Sequence, residues 1–216
     1  LIDDEPVCEI DLNGSQPTLF SALLGVWMNV GGTWTDVYDA VVQRLEADEK
    51  PELLRKMVKQ VIVEMLGSGN YQRTGPADTE APVKPDDIQL FFDTEYSRET
   101  YLNIQRETLE VFPALRQLNK KHLNATGYLS FHESEILTQT LLTLKGLGVV
   151  AYGVHDCVVV KRQDKNLAVQ TYRQVIRDYV VKHQREQKHP SLNIEVSVTI
   201  EEADMDKVRR SGCYLD

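Results

Sequence analysis

The chain has 216 residues, 42% hydrophobic and 26% charged, and a formal net charge of −9, enough for one globular domain, or one with a small appendage. That acidity excludes a grip on nucleic acid by bulk attraction, which needs clustered Lys and Arg, and no apolar run approaches the ~20 residues of a membrane span or follows a basic start as a secretory signal does. Cys8, Cys157 and Cys213 are odd in number and lack CxxC spacing, which excludes a disulfide framework and a zinc knuckle.

VCEID (7–11) reads as a strand entering the polar turn LNGSQP, from which an apolar helix leaves over about 18–30 and stops at Gly31-Gly32. TWTD (33–36) caps a second helix to about residue 47, and Pro51 opens a third, PELLRKMVKQVIVEML, closed by Gly67-Ser68-Gly69. In the third helix Leu54, Met57, Val58, Val61 and Met65 form an apolar stripe, and Arg55 and Lys59 lie one turn apart on a face beside it. The Gly- and Pro-rich stretch 67–85 predicts a flexible loop, where Tyr71 and Arg73 could stack on bases. Helical patterns resume over 86–122 with a boundary at Pro113, and HESEILTQTLLTLKGLG (132–148) predicts a helix opened by His132 and Glu133. In GVVAYGVHDCVVVKR (148–162) two β-branched strands, 149–154 and 157–161, flank a polar His155-Asp156 tip. A helix over 166–187 and an alternating strand over 192–200 follow. Strands separated by helices predict an α+β fold with a small antiparallel sheet and helices packed on one face.

Asp11 and Asp156 each end a hydrophobic strand. A carboxylate there is desolvated on one side and open on the other, so two of them can hold divalent cations of the Mg²⁺ type, with phosphates completing the coordination. Two ions about 4 Å apart would activate an attacking hydroxyl and stabilise the leaving pyrophosphate. Each motif taken alone also has a plainer reading. Asp11 could cap a turn beside Asn13 and Ser15, His155-Asp156 could be a hairpin turn with an Asx bond, and Arg55 and Lys59 could be a solvated helix face. Cys157 and His155 lack the third group that would make them a nucleophile pair.

DLNGSQPTLFSALL (11–24) resembles motif A of the single-subunit polymerases, the group of phage-type RNA polymerases and family A DNA polymerases. RKMVKQVIVEMLGSG (55–69) resembles motif B, the fingers helix, and VHDCVVV (154–160) resembles motif C, the His-Asp hairpin, in the family's order. The resemblance implies a polymerase-type palm at 1–30 and 123–216 with a reduced helical fingers-like insertion at 31–122. It implies template-directed addition of nucleotides to a 3′ end with two Mg²⁺ or Mn²⁺ ions. Asp11 and Asp156 would be metal ligands with the Leu12 carbonyl, and Arg55 and Lys59 would hold the triphosphate, Lys59 also donating a proton to pyrophosphate. His155 would approach the primer terminus. The partners implied are a template and primer, nucleoside triphosphates, and a protein or missing segment supplying thumb contacts. The localisation implied is intracellular, cytoplasmic or as a phage- or plasmid-encoded protein in a host cell. Opening on Leu1, the chain reads as a fragment of a longer protein. Two departures bear on the reading. Leu66 stands where motif B carries an aromatic, and Gln16 stands where family A DNA polymerases carry a sugar-excluding glutamate, so the choice between RNA and DNA stays open. The alternative is an inert palm that binds nucleic acid or protein.

Overall fold

In β1 (Val7–Leu12) buried Cys8, Ile10 and Leu12 alternate with half-buried Val7, Glu9 and Asp11, a period of two that gives the strand a core face and an open face. The structure, a computed structural model, describes residues 2, 5–28, 37–45, 51–72, 98–118, 125–191 and 196–202. Within them β2 (Ala151–Val154), β3 (Cys157–Lys161) and β4 (Val198–Glu202) complete a four-stranded sheet in the order β2-β3-β1-β4, with every neighbouring pair antiparallel. The register lines up Gly153, Val158, Ile10 and Ile200 across one face, and Tyr152, Val159, Glu9 and Glu201 across the other.

Two long helices, α5 (Ala125–Gly146) and α6 (Lys165–Gln187), cover the first face, with Leu137 and Leu141 of α5 set against Gly153. The other described helices are α1 (Ser15–Leu23), α2 (Val37–Arg44), α3 (Pro51–Ser68) and α4 (Arg98–Val111); α2, α3 and α4 pack on one another, and α3 also meets α5. Buried side chains of the sheet and of all six helices form one hydrophobic cluster. The chain is therefore an α+β protein with a small antiparallel sheet and helices on one of its faces, as its periodicities predict. No described helix is long and apolar enough to cross a membrane.

Several boundaries differ from the sequence reading; β2, for one, begins at Ala151 and not at 149. Helix α1 starts three residues early and ends at Leu23, because Gly25 takes φ +63° and closes a Schellman motif: its N–H donates to the Ala22 carbonyl, and the Val26 N–H to that of Ser21. Helix α5 begins at Ala125, so His132 and Glu133 lie mid-helix rather than at its start. Its first two turns bury Ala125 and Leu129, and Gly127 within them weakens the periodic signal. Helix α3 runs on through Ser68, and Tyr71 packs partly buried against the core. Strand β4 (Val198–Glu202) is shorter than the expected 192–200 and ends two residues later; residues 196 and 197 are not strand. Residues 29–36, 46–50, 73–97, 119–124 and 192–195 lie outside the described residues, and with them Arg73 and most of the expected loop.

The Gly25 position carries a prediction. A Cβ there would sit 2.3 Å from the Pro190 carbonyl oxygen, on a backbone that L side chains rarely adopt. Gly25→Ala should cost about 2–4 kcal/mol, read as a lower urea midpoint with an unchanged slope.

Candidate active site

Asp11 reaches the site because β1 points it to the open face one residue before the strand ends. The chain then turns at Gly14, whose φ is +51° and whose added Cβ would lie 2.4 Å from Val37 Cγ2, so a residue without a side chain lets the turn press against α2. That turn sets Ser15 and Gln16, the first residues of α1, at the wall of the cleft. Asp11 does not cap α1, whose N-cap is Gly14, with no side-chain cap.

Asp156 arrives from the opposite side, on the two-residue hairpin between β2 and β3. His155 at the tip has φ +55° and Asp156 does not have a positive φ, the sign pattern of a type II′ turn. The Tyr172 hydroxyl of α6 donates to the Asp156 carbonyl at 3.1 Å, tying the tip to the helix layer. Ser15 Oγ lies 3.3 Å from Asp156 Oδ2 and forms a short hydrogen bond to Glu133 Oε1 of α5. One hydroxyl has one proton to give, so Ser15 joins two carboxylates that it cannot satisfy together.

The electrostatics follow from this crowding. Burial, the Asp156 charge and, more weakly, Glu9 raise the Asp11 carboxyl, against a backbone hydrogen bond and the Cys157 thiol. Burial also raises Glu133, with the Asp156 and Asp11 charges adding to it and hydrogen bonds from Ser15 and Gln16 opposing it. The Cys157 thiol and Tyr172 hydroxyl are pushed up by burial and by the same acids. A thiol whose proton is held in this way is a weak nucleophile. Asp11 Oδ1 is shut off from solvent and has no hydrogen-bond partner. Ligating atoms of Asp11, Asp156 and Cys157 lie within 4.8 Å of one another. An orphaned carboxylate oxygen among like charges fits a divalent cation with oxygen ligands.

A cleft of about 750 Å³ opens beside this pair and is lined by Asp11, Leu12, Gln16, Arg55, Lys59, Leu66 and Asp156. The residues that the polymerase resemblance gives a catalytic, substrate or metal role, except His155, thus border one space. The Leu12 side chain is in the core at 2% exposure. Arg55 stacks over the Tyr38 ring at 5.3 Å and pairs with Asp39 at 3.3 Å, while Lys59 is exposed. His155 is exposed at the hairpin tip and does not border the cleft: a residue at a two-residue turn points away from the sheet that positions its neighbour. Ser15, Cys157 and Tyr172 were not singled out as site residues. Ser15 had one visible signal, a hydroxyl four residues after Asp11 at the start of a helix.

Behind the site, His132 is buried at 4% exposure between α5 and α6, its Nδ1 2.6 Å from the Tyr179 hydroxyl and its ring against Tyr128 and His183. Burial first, then His183, lowers it to about 4. The unfolded chain therefore binds a proton that the folded chain refuses between roughly pH 6.5 and 4. Stability contributed by neutral His132 is present above that window and lost as pH falls through it, up to about 3 kcal/mol. His132→Gln should flatten the acid limb of a plot of thermal midpoint against pH; an unchanged limb would assign it to other groups.

No protein-family model matches the chain, and no curated protein matches it. Among solved structures it is similar to the POL domain of Pol1 from M. smegmatis, determined in complex with DNA primer-template and dNTP, with a TM-score of 0.54 and 12% identity. The match covers 92% of this chain and 39% of that one, so the chain spans well under half of that structure. At this identity the likeness is one of fold: the α+β chain has the palm-like architecture of a polymerase domain.

Proposed function

We propose that the chain is the palm, with a reduced fingers segment, of a template-directed nucleotidyltransferase that extends a 3′ end. The observation carrying this reading is that Asp11, Asp156, Arg55 and Lys59, from three separate stretches of sequence, line one cleft in a fold like that of a polymerase domain. In this reading residues 1–30 and 123–216 are the palm and 31–122 the fingers-like insertion, working inside a cell. A partner or a further segment supplies the thumb.

Asp11 and Asp156, with the Leu12 carbonyl, would hold two Mg²⁺ or Mn²⁺ ions. When bound, those ions lower the proton affinity of the attacking hydroxyl and neutralise charge on the leaving pyrophosphate. The protein's own residues do the rest. Ser15 and Tyr172 hold Asp156 in place, one at its side chain and one at its backbone. Lys59 meets the developing phosphate charge and can give pyrophosphate its proton. Arg55 joins it by exchanging Asp39 for phosphate, a bidentate partner for a guanidinium. Gln16, bonded to Glu133, lies where the sugar would be read, and His155 at the open hairpin tip would meet the primer end. The cleft on the sheet face that carries Asp11 would receive the template and primer.

A second reading, an inert palm that binds a basic protein, is favoured by Glu9 and Glu201, which pair across β1 and β4 and border the same cleft. Equilibrium binding of a labelled nucleoside triphosphate separates the two. Saturable binding that tripolyphosphate competes away and Lys59→Ala weakens supports the enzyme; no binding by the wild-type chain with Mg²⁺ and a primer-template supports the inert module.

A further inference from the structure

We infer that Asp11, Asp156 and Cys157 together form a site for one thiophilic divalent cation of the Zn²⁺, Cd²⁺ or Co²⁺ kind, which competes with Mg²⁺ for the two carboxylates. The inference deepens the proposed metal-binding role of the aspartates and rests on it. Cys157 opens β3, and the register that sets Val158 beside Ile10 carries Cys157 to the same open face as Asp11. Each of the three residues offers a ligating atom within 4.8 Å of the other two. Cys157 is only 8% exposed, and Asp11 Oδ1 is closed to solvent and without a hydrogen-bond partner, so a buried sulfur and a carboxylate with an unsatisfied buried oxygen stand side by side.

The donor set decides which ion prefers it. Mg²⁺ seeks six oxygens and gains nothing from sulfur. Zn²⁺ binds thiolate at about 2.3 Å and carboxylate at about 2.0–2.2 Å in a tetrahedron, with water in the fourth place, and sulfur favours such softer ions generally. Ligation replaces the S–H bond by a sulfur–metal bond. The proton leaves to solvent past Glu9, which already hydrogen-bonds the thiol, and no electrons are transferred. Cys8 faces the helix layer and is fully buried, so it cannot substitute.

The test titrates the full chain with Co²⁺, and separately with Cd²⁺, reading the sulfur-to-metal charge-transfer absorption. The expected result is a band that saturates at one metal per chain, persists in Cys8→Ser and disappears in Cys157→Ser and Cys157→Ala. Cd²⁺ affinity should fall about 100-fold or more in both Cys157 variants, with Mg²⁺ affinity within about twofold of wild type. A band that survives both Cys157 substitutions overturns the inference, as does no band in a wild-type chain that still binds Mg²⁺. Failure of the underlying reading looks different: the cobalt–thiolate band would be intact and the Mg²⁺ response absent.

Discussion

Asp156→Asn should leave the chain folded, raise its thermal midpoint near neutral pH by about 2–4 °C and lower nucleotide addition by about a thousandfold or more. The two effects have one origin. The Asp11 carboxyl, raised by burial and by the Asp156 charge, opposes folding at neutral pH because the folded chain holds its proton more tightly than the unfolded one. Replacing Asp156 by a neutral isostere removes repulsion worth about 1 kcal/mol and keeps an oxygen for the Ser15 hydrogen bond. As pH falls and Asp11 takes up its proton, the wild-type chain loses its disadvantage, so the gap between the two midpoints should close in acid. Asp11→Asn should behave in the same way. Thermal melts across pH, with circular dichroism to confirm the fold, check the first effect, and a single-turnover assay checks the second. A variant that loses both stability and activity would make these aspartates structural.

Lys59→Ala should lower kcat/KM by about 10²–10³-fold, with Lys59→Arg recovering part of the loss because a cation still faces the phosphates. Arg55→Ala should act mainly on KM, since Arg55 begins from a pairing with Asp39 and a stack on Tyr38 and must exchange one for phosphate. Asp39→Asn removes a competitor for the guanidinium and should tighten triphosphate binding by about two- to fivefold. Steady-state kinetics on the four variants separate these outcomes. Equal and small effects throughout would make Arg55 and Lys59 a solvated helix face.

The sequence made much of this site legible, and for specific reasons. Asp11 and Asp156 could be picked out because each polar residue ends an apolar strand, and strand β3 fell where its run of valines placed it. Arg55 and Lys59 followed from helical spacing, which survives whatever the helix packs against. The contacts that hold the pair depend instead on how elements cross. Glu133 meets Ser15 because α5 runs beside the start of α1, and no local pattern encodes that crossing. Tyr172 reached Asp156 in the same way. Arg55 met Asp39 because α2 and α3 pack together. The misplaced ends of α1 and α5 came from single glycines, Gly25 and Gly127, whose effects on a helix depend on their neighbours.

The most direct test of the central claim is extension of a labelled primer on a template with Mg²⁺ or Mn²⁺, run separately with ribonucleotides and deoxynucleotides. The full chain should add nucleotides in template order with a preference for one sugar, and both Asp11→Asn and Asp156→Asn should abolish addition. No extension by a wild-type chain that binds the primer-template, or extension that survives both substitutions, would contradict it.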